Sequence, residues 1–340
     1  MTDERYSRQV LFNGIGEQGQ QKLSQSRVTI IGCGGLGSVS ADILVRSGVG
    51  FLRICDRDFV ETSNLQRQVL FDEQDVALNL PKAEAARQKL QQINSTVSIE
   101  ACVTDVDPSN VLGLVRDVDL ILDGSDNFET RYLINDAAVS LGIPWVYGAA
   151  AGSTGMSSVI VPGQTACLTC LFERIPPAGT APTCDTAGVI GSVIHMISSI
   201  QCVAAIKVLS GVFSVSDNRL WMVDAWNGEV QAIETPAGSN VDCETCASRK
   251  FPHLDAKRGS YATTICGRNA VQVSWTGSHE IDIAALARNL ENAGEVAVNR
   301  FMLKFKCSEA VIAVFPDGRA IIEGTNDPGR ARELYAKYVG

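Results

Sequence analysis

A β-branched run, Val28-Thr29-Ile30-Ile31, ends in Gly32-Cys33-Gly34-Gly35-Leu36-Gly37, and a helical spacing through Ala41, Leu44 and Val45 follows, stopping near Gly48 and Gly50. Strand, glycine turn and helix in that order leave few architectures open, because glycine lets a backbone turn tightly and lie against a neighbour. Phe51 to Asp56 reads as the next strand, and Leu120 to Asp123 and Trp145 to Tyr147 read as later ones, with helices over 83–92 and 129–141 between them. Strands that alternate with helices build a mostly parallel, doubly wound sheet.

From about residue 151 the pattern changes to Ser/Thr/Gly-rich strands such as Ser157 to Val161, and a Pro-rich loop spans 175–183. The expectation is a Rossmann-like α/β fold whose parallel sheet continues in antiparallel strands, occupying 1–248 and changing character near 150. The polar stretch after Cys246 holds Pro252 and Gly259, and a linker is placed at 249–261. Residues 262–340 read as a small C-terminal α/β module. Val271 to Trp275, Phe301 to Phe305, Val311 to Val314 and Ala320 to Ile322 have strand character, Pro316-Asp317-Gly318 signals a hairpin turn, and 281–289 and 330–338 have helical spacing.

With 29 basic against 38 acidic residues the chain carries a net charge of −9, which argues against nucleic acid or an anionic membrane as partner. The polar N-terminus has no apolar stretch behind it, so no signal peptide is expected and the cytosol is the expected location. Residues 187–213 are apolar and long enough to cross a bilayer, but they carry His195, Gln201 and Lys207. A helix in a protein core or a subunit interface, and no membrane span, is the expectation.

Glycines 32, 34 and 37 between a strand and a helix let the backbone approach a polyphosphate at a helix N-terminus, and Asp56 at the next strand's end suits ribose hydroxyls. These features alone do not separate NAD from ATP. Asn64-Leu65-Gln66-Arg67-Gln68, Pro81-Lys82 and Asp123-Gly124-Ser125-Asp126-Asn127 have no obvious use in hydride transfer. They suit attack of a carboxylate on the α-phosphate of ATP: the nucleophile is already ionised, so cationic clamps and Mg2+ are needed to remove repulsion, and no general base is. Asp126-Asn127 is equally compatible with a plain helix N-cap, and Arg8 with an ordinary surface arginine.

Eleven cysteines in a chain of this kind point to metal or thiol chemistry. Cys167-x-x-Cys170 and Cys243-x-x-Cys246 form two matched pairs able to hold one tetrahedral Zn2+. Four thiolates leave no position open for substrate, so the predicted zinc is structural.

Arg5-Tyr6-Ser7-Arg8-Gln9, the glycine turn, 64–68, Asp126-Asn127 and the paired Cys-x-x-Cys motifs together resemble the ThiF/MoeB family, bacterial relatives of ubiquitin-activating enzymes, over roughly residues 4–248. The resemblance implies that 1–248 is an adenylation domain, with a nucleotide-binding part at about 1–150 and a carrier-binding and zinc part at about 151–248. It implies ATP as substrate, bound by Gly32, Gly34, Gly35, Gly37, Asp56, Asp58, Asn64, Arg67, Gln68, Lys82, Asp126 and Asn127. Asp56 would take the ribose, Asn64, Arg67 and Lys82 the phosphates, and Asp126 the Mg2+. Arg8 would reach the triphosphate of a neighbouring subunit, implying a homodimer. The chain departs from the family pattern before Lys82, where a usual glycine is missing and 75–81 is longer than in close relatives.

The acceptor implied is a ubiquitin-like sulfur-carrier protein ending in Gly-Gly. Its C-terminal carboxylate is adenylated so that sulfur can convert it to a thiocarboxylate. The carrier expected is of the ThiS type of thiamine thiazole synthesis. The alternatives are a MoaD-type carrier of molybdenum cofactor synthesis or a tRNA-thiolation carrier, and more distantly an NAD-dependent oxidoreductase or a non-catalytic scaffold. Cys184, beside Asp185 and after the Pro-rich loop, is either a sulfur-transferring thiol or a small loop residue. In the second case sulfur comes from a separate donor such as a cysteine desulfurase or a rhodanese. Cys266, which opens the C-terminal module, is either a second thiol or relay for sulfur or an ordinary cysteine of that module.

Overall fold

The structure is a computed structural model that describes residues 4–172, 187–236, 238, 240, 242–255, 261–265, 269–274, 281–291 and 293–339. Cys184 and Cys266 lie outside the described residues. Two compact units divide the chain, 1–256 and 257–340.

The first unit is organised by an eight-stranded sheet in the order β3-β2-β1-β4-β5-β6-β7-β8. Its strands are β1 (Arg27–Ile31), β2 (Phe51–Asp56), β3 (Ser98–Val103), β4 (Leu120–Asp123), β5 (Trp145–Ala151), β6 (Thr154–Ile160), β7 (Arg219–Asp224) and β8 (Glu229–Glu234). The pairings from β3 through β5 are parallel, and those from β5 through β8 are antiparallel. Successive strand residues enter opposite cores: Leu120 and Leu122 join one with Val28, Ile30 and Leu52, while Ile121 joins another with Trp145 and Ile134. Burial on both faces is what a parallel sheet covered by helices requires.

The Gly35–Ser47 helix lies on one face between the Lys82–Ile93 and Gly191–Ser210 helices, and the Phe128–Leu141 helix covers the other. The Gly191–Ser210 helix is long and apolar enough to cross a membrane, as its sequence suggested. It is tied into the protein instead: Ser198 Oγ donates to Leu36 O at 3.1 Å and Gln201 Nε2 donates to Asp123 O at 2.8 Å, while Val193 and Ile197 are fully buried.

The second unit holds a six-stranded sheet in the order β11-β12-β13-β14-β10-β9, antiparallel throughout. The strands are β9 (Tyr261–Ile265), β10 (Ala270–Ser274), β11 (Glu295–Val298), β12 (Leu303–Lys306), β13 (Val311–Val314) and β14 (Ala320–Glu323), with helices Ile283–Leu290 and Pro328–Tyr338. β9 begins at Tyr261, inside the linker expected at 249–261. β12 begins at Leu303, not Phe301, because Asn299 Oδ1 accepts the amides of Phe301 and Met302 in a local turn. The turn at Pro316–Gly318 joins β13 to β14 as expected, with Gly318 at φ +82°.

Candidate functional site

β1 lies between β2 and β4, so the chain leaves the sheet in opposite directions on its two sides. The crevice at the carboxyl ends of such strands is where open α/β sheets bind ligands. The glycines at this point serve two different purposes. A Cβ at Gly37 would lie 1.9 Å from Gly32 O, one at Gly124 would lie 2.3 Å from the same oxygen, and one at Gly32 would lie 2.6 Å from Gly124 O. Those three pack backbone against backbone, and Gly32 also needs its φ of +88°. Gly35 rests against Ile194, with which a Cβ would make contact at 3.1 Å. Gly34 alone faces open space: its Cβ would meet nothing closer than Gln68 Nε2 at 3.8 Å. That opening, at the N-terminus of a thirteen-residue helix, is suited to an anion.

Asp56 closes β2 beneath this turn. Its Oδ2 accepts the Cys33 amide at 2.6 Å and its Oδ1 accepts the Asp58 amide at 2.7 Å. Burial pushes its carboxyl up from the usual range, and neighbouring Lys82 opposes that rise. Lys82, 4 % exposed, donates from Nζ to Asp58 Oδ2 at 3.2 Å and from its amide to Asp58 O at 2.9 Å. The lead-in to Lys82 is ordered by a short helix, Glu73–Ala77, capped by Asp72. Asn79 takes φ +47°, so an asparagine supplies the left-handed turn that glycine would ordinarily make.

In the 64–68 segment, Asn64 is 1 % exposed and its Oδ1 accepts the Glu61 amide at 3.0 Å. Arg67 is half-buried and donates to Ser63 O at 2.9 Å. Gln68 is 2 % exposed, and its Oε1 accepts no hydrogen bond among the described residues. At the end of β4 the two members of Asp126-Asn127 separate. Asn127 caps the Phe128–Leu141 helix, its Oδ1 accepting the Thr130 amide at 2.8 Å, while Asp126 is exposed. Below them Asp123, wholly buried, pairs with Arg131 at 3.3 Å and accepts Ser125 Oγ at 2.6 Å.

Sequence reasoning missed Arg131 and Arg57. Arg57 stands among the acids of the crevice, pairing with Asp105 at 3.1 Å and lying 3.8 Å from Asp58. The Asp56-Arg57-Asp58 run at a strand end was the available signal.

Arg8 is exposed, on a segment fastened at the far end of the Gly35–Ser47 helix. Gln9 Nε2 donates to Ser47 O at 2.9 Å, and Tyr6 receives Asn94 Nδ2 at 2.8 Å. The helix places that end about 20 Å from the glycine turn.

The four predicted metal ligands converge. Sγ separations are 3.8 Å for Cys167–Cys170, 3.7 Å for Cys167–Cys243 and 3.5 Å for Cys170–Cys246. Sulfurs about 2.3 Å from a tetrahedral zinc stand about 3.8 Å apart, so the donor set fits such an ion. Burial pushes the Cys170 thiol up to about 11 and the Cys167 thiol further, so those two would need a cation beside them to ionise. Thr169 and Thr245, inside the two motifs, hydrogen bond to each other at 3.1 Å, and Asn135 accepts the Leu168 amide at 2.9 Å.

Residues 6–245 match the model of the ThiF family. The chain is 44 % identical over 337 residues to the sulfur carrier protein ThiS adenylyltransferase of Bacillus subtilis, covering 99 % of each. It is 38 % identical to a sulfur carrier protein adenylyltransferase of Thermus thermophilus, over 72 % of this chain and 90 % of that one. In fold it is similar to the crystal structure of E. coli MccB, with a TM-score of 0.64, 23 % identity and 76 % of each chain covered. A family match running from the N-terminal segment through the second cysteine pair, with identities of this size over this much sequence, means that the chain belongs to the ThiF family.

Proposed function

We propose that this chain is an adenylyltransferase that uses ATP to activate the C-terminal carboxylate of a ubiquitin-like sulfur carrier of the ThiS type. The observation that carries the reading is the near-complete alignment, at 44 % identity, with a ThiS adenylyltransferase, which extends through the C-terminal unit. The crevice supports it with an open glycine turn for the triphosphate, Asp56 for the ribose, and Asn64, Arg67, Gln68 and Lys82 along the phosphates. Lys82 is held ready by Asp58. Asp126 is the residue we assign to Mg2+, which would neutralise developing phosphate charge when bound. The carrier's carboxylate attacks the α-phosphate, pyrophosphate leaves, and the acyl-adenylate awaits sulfur. We assign Cys184, or a separate donor such as a cysteine desulfurase or rhodanese, to that last delivery.

For Arg8 we propose action on the crevice of a second subunit in a homodimer. Its segment is fixed at the wrong end of the helix to serve its own crevice. The Gly191–Ser210 helix presents exposed Met196 and Val203, which an interface would cover. For the carrier we propose the β7–β8 side of the sheet, where β8 is exposed along its whole length and Val230 and Ile233 stand in solvent. For the cysteine cluster we propose a structural Zn2+. Consumption of ATP makes the cytosol the natural location.

The test is ATP/pyrophosphate exchange with Mg2+, with and without a ThiS-type or MoaD-type carrier, beside an Asp126→Ala control. Exchange that requires the ThiS-type carrier and is lost in the control is the expected result. Exchange with the MoaD-type carrier alone would move the pathway, and none with either would overturn the reading.

A further inference from the structure

Arg57 lies among four carboxylates at the ends of β2, β3 and β4, namely Asp56, Asp58, Asp105 and Asp126, with Lys82 paired to Asp58 beside it. Burial works against its charge, and those four acids more than offset the cost. Its guanidinium is fixed by Asp105, which follows β3, with Nη1 to Oδ1 at 3.1 Å. The order β3-β2-β1-β4 sets the direction in which a nucleotide must lie. Phosphates belong at the glycine turn after β1 and the ribose at Asp56 after β2. The base then extends past β2 toward the end of β3, where the Arg57–Asp105 pair stands.

We propose that Arg57 forms one wall of the purine site by laying its guanidinium plane on the base, with Asp105 as the positioning residue that holds the plane in place. A planar, delocalised cation is suited to an aromatic face, and a lysine ammonium lacks the plane. The contact is made equally with bound nucleotide and in the transition state, so it contributes to binding and not to the chemical step. This inference rests on the adenylation reading and names the base-facing part of that same site.

The experiment compares full-length wild-type protein with Arg57→Lys, Arg57→Leu and Asp105→Asn, measuring equilibrium binding of ATP, adenosine and Mg2+-tripolyphosphate, and ATP/pyrophosphate exchange. Both Arg57 variants should weaken adenosine and ATP by about three- to thirty-fold, leave tripolyphosphate binding unchanged, and raise KM for ATP with little change in kcat. Asp105→Asn should move the same quantities in the same direction by less. Unchanged adenosine affinity in Arg57→Lys and Arg57→Leu, or a loss confined to tripolyphosphate, would overturn the assignment while wild-type exchange left the adenylation reading standing. A wild-type protein that bound no adenosine nucleotide would overturn both.

Discussion

Glycines that look alike in the sequence carry different burdens in the fold. Gly37→Ala forces a Cβ to within 1.9 Å of a backbone oxygen that cannot move without its strand, so little soluble, cooperatively melting protein should be recovered. Gly34→Ala meets only the end of Gln68 at 3.8 Å. Its melting temperature should stay near wild type while ATP affinity falls at least tenfold, and calorimetry with nucleotide titration separates the two. A residue outside the crevice sets a pH dependence. Burial pushes the carboxyl of Asp136 up to about 6, although it accepts the His253 amide at 2.9 Å. A carboxyl with a raised pKa favours the folded state fully below its unfolded value near 4 and loses that contribution as pH rises to 6. Denaturant unfolding should therefore show Asp136→Asn gaining about 1–2 kcal/mol on wild type between pH 4 and pH 7, after allowance for solvent screening.

At the scale of elements, the two halves of Asp126-Asn127 can be told apart. Asn127 caps a fourteen-residue helix, so Asn127→Ala should cost about 1 kcal/mol of stability by urea unfolding. Asp126→Ala, at an exposed position, should leave that curve unchanged and abolish exchange. The sequence alone left these residues as either cap or site, because both uses favour the same residue types at the same place. The segment before Lys82 was ambiguous for a related reason. The missing glycine was visible in the sequence, but that Asn79 takes φ +47° is a backbone fact that appears only once the loop closes onto Asp58. β8 was not foreseen: the alternation of Glu229 to Ala232 is broken by Ile233 beside it, and the strand is exposed along its whole length, so no buried face marks it.

For the molecule as a whole, the cysteine cluster joins segments that are far apart in sequence, between β6 and the last turns of the first unit. Removing a bound zinc with a chelator, or replacing Cys243 with serine, should lower the melting temperature of the whole protein by several degrees, read by scanning calorimetry with metal analysis beside it. Every residue proposed for the nucleotide site lies in the unit 1–256, which has cores of its own. A chain ending after residue 256 should therefore still bind ATP. By itself the sequence determined the strand, turn and helix order, the parallel sheet that follows from it, and the cysteine pairs. These are local patterns, and secondary structure and ligand spacing are written within a few residues. Tertiary structure alone decided that Gly34 is open while Gly37 is filled, that Arg57 stands among four acids, and that Arg8 is fastened away from its own crevice. Each of these depends on which distant segments meet, and contacts between strands ordered β3-β2-β1-β4 cannot be read from any window of a single chain segment.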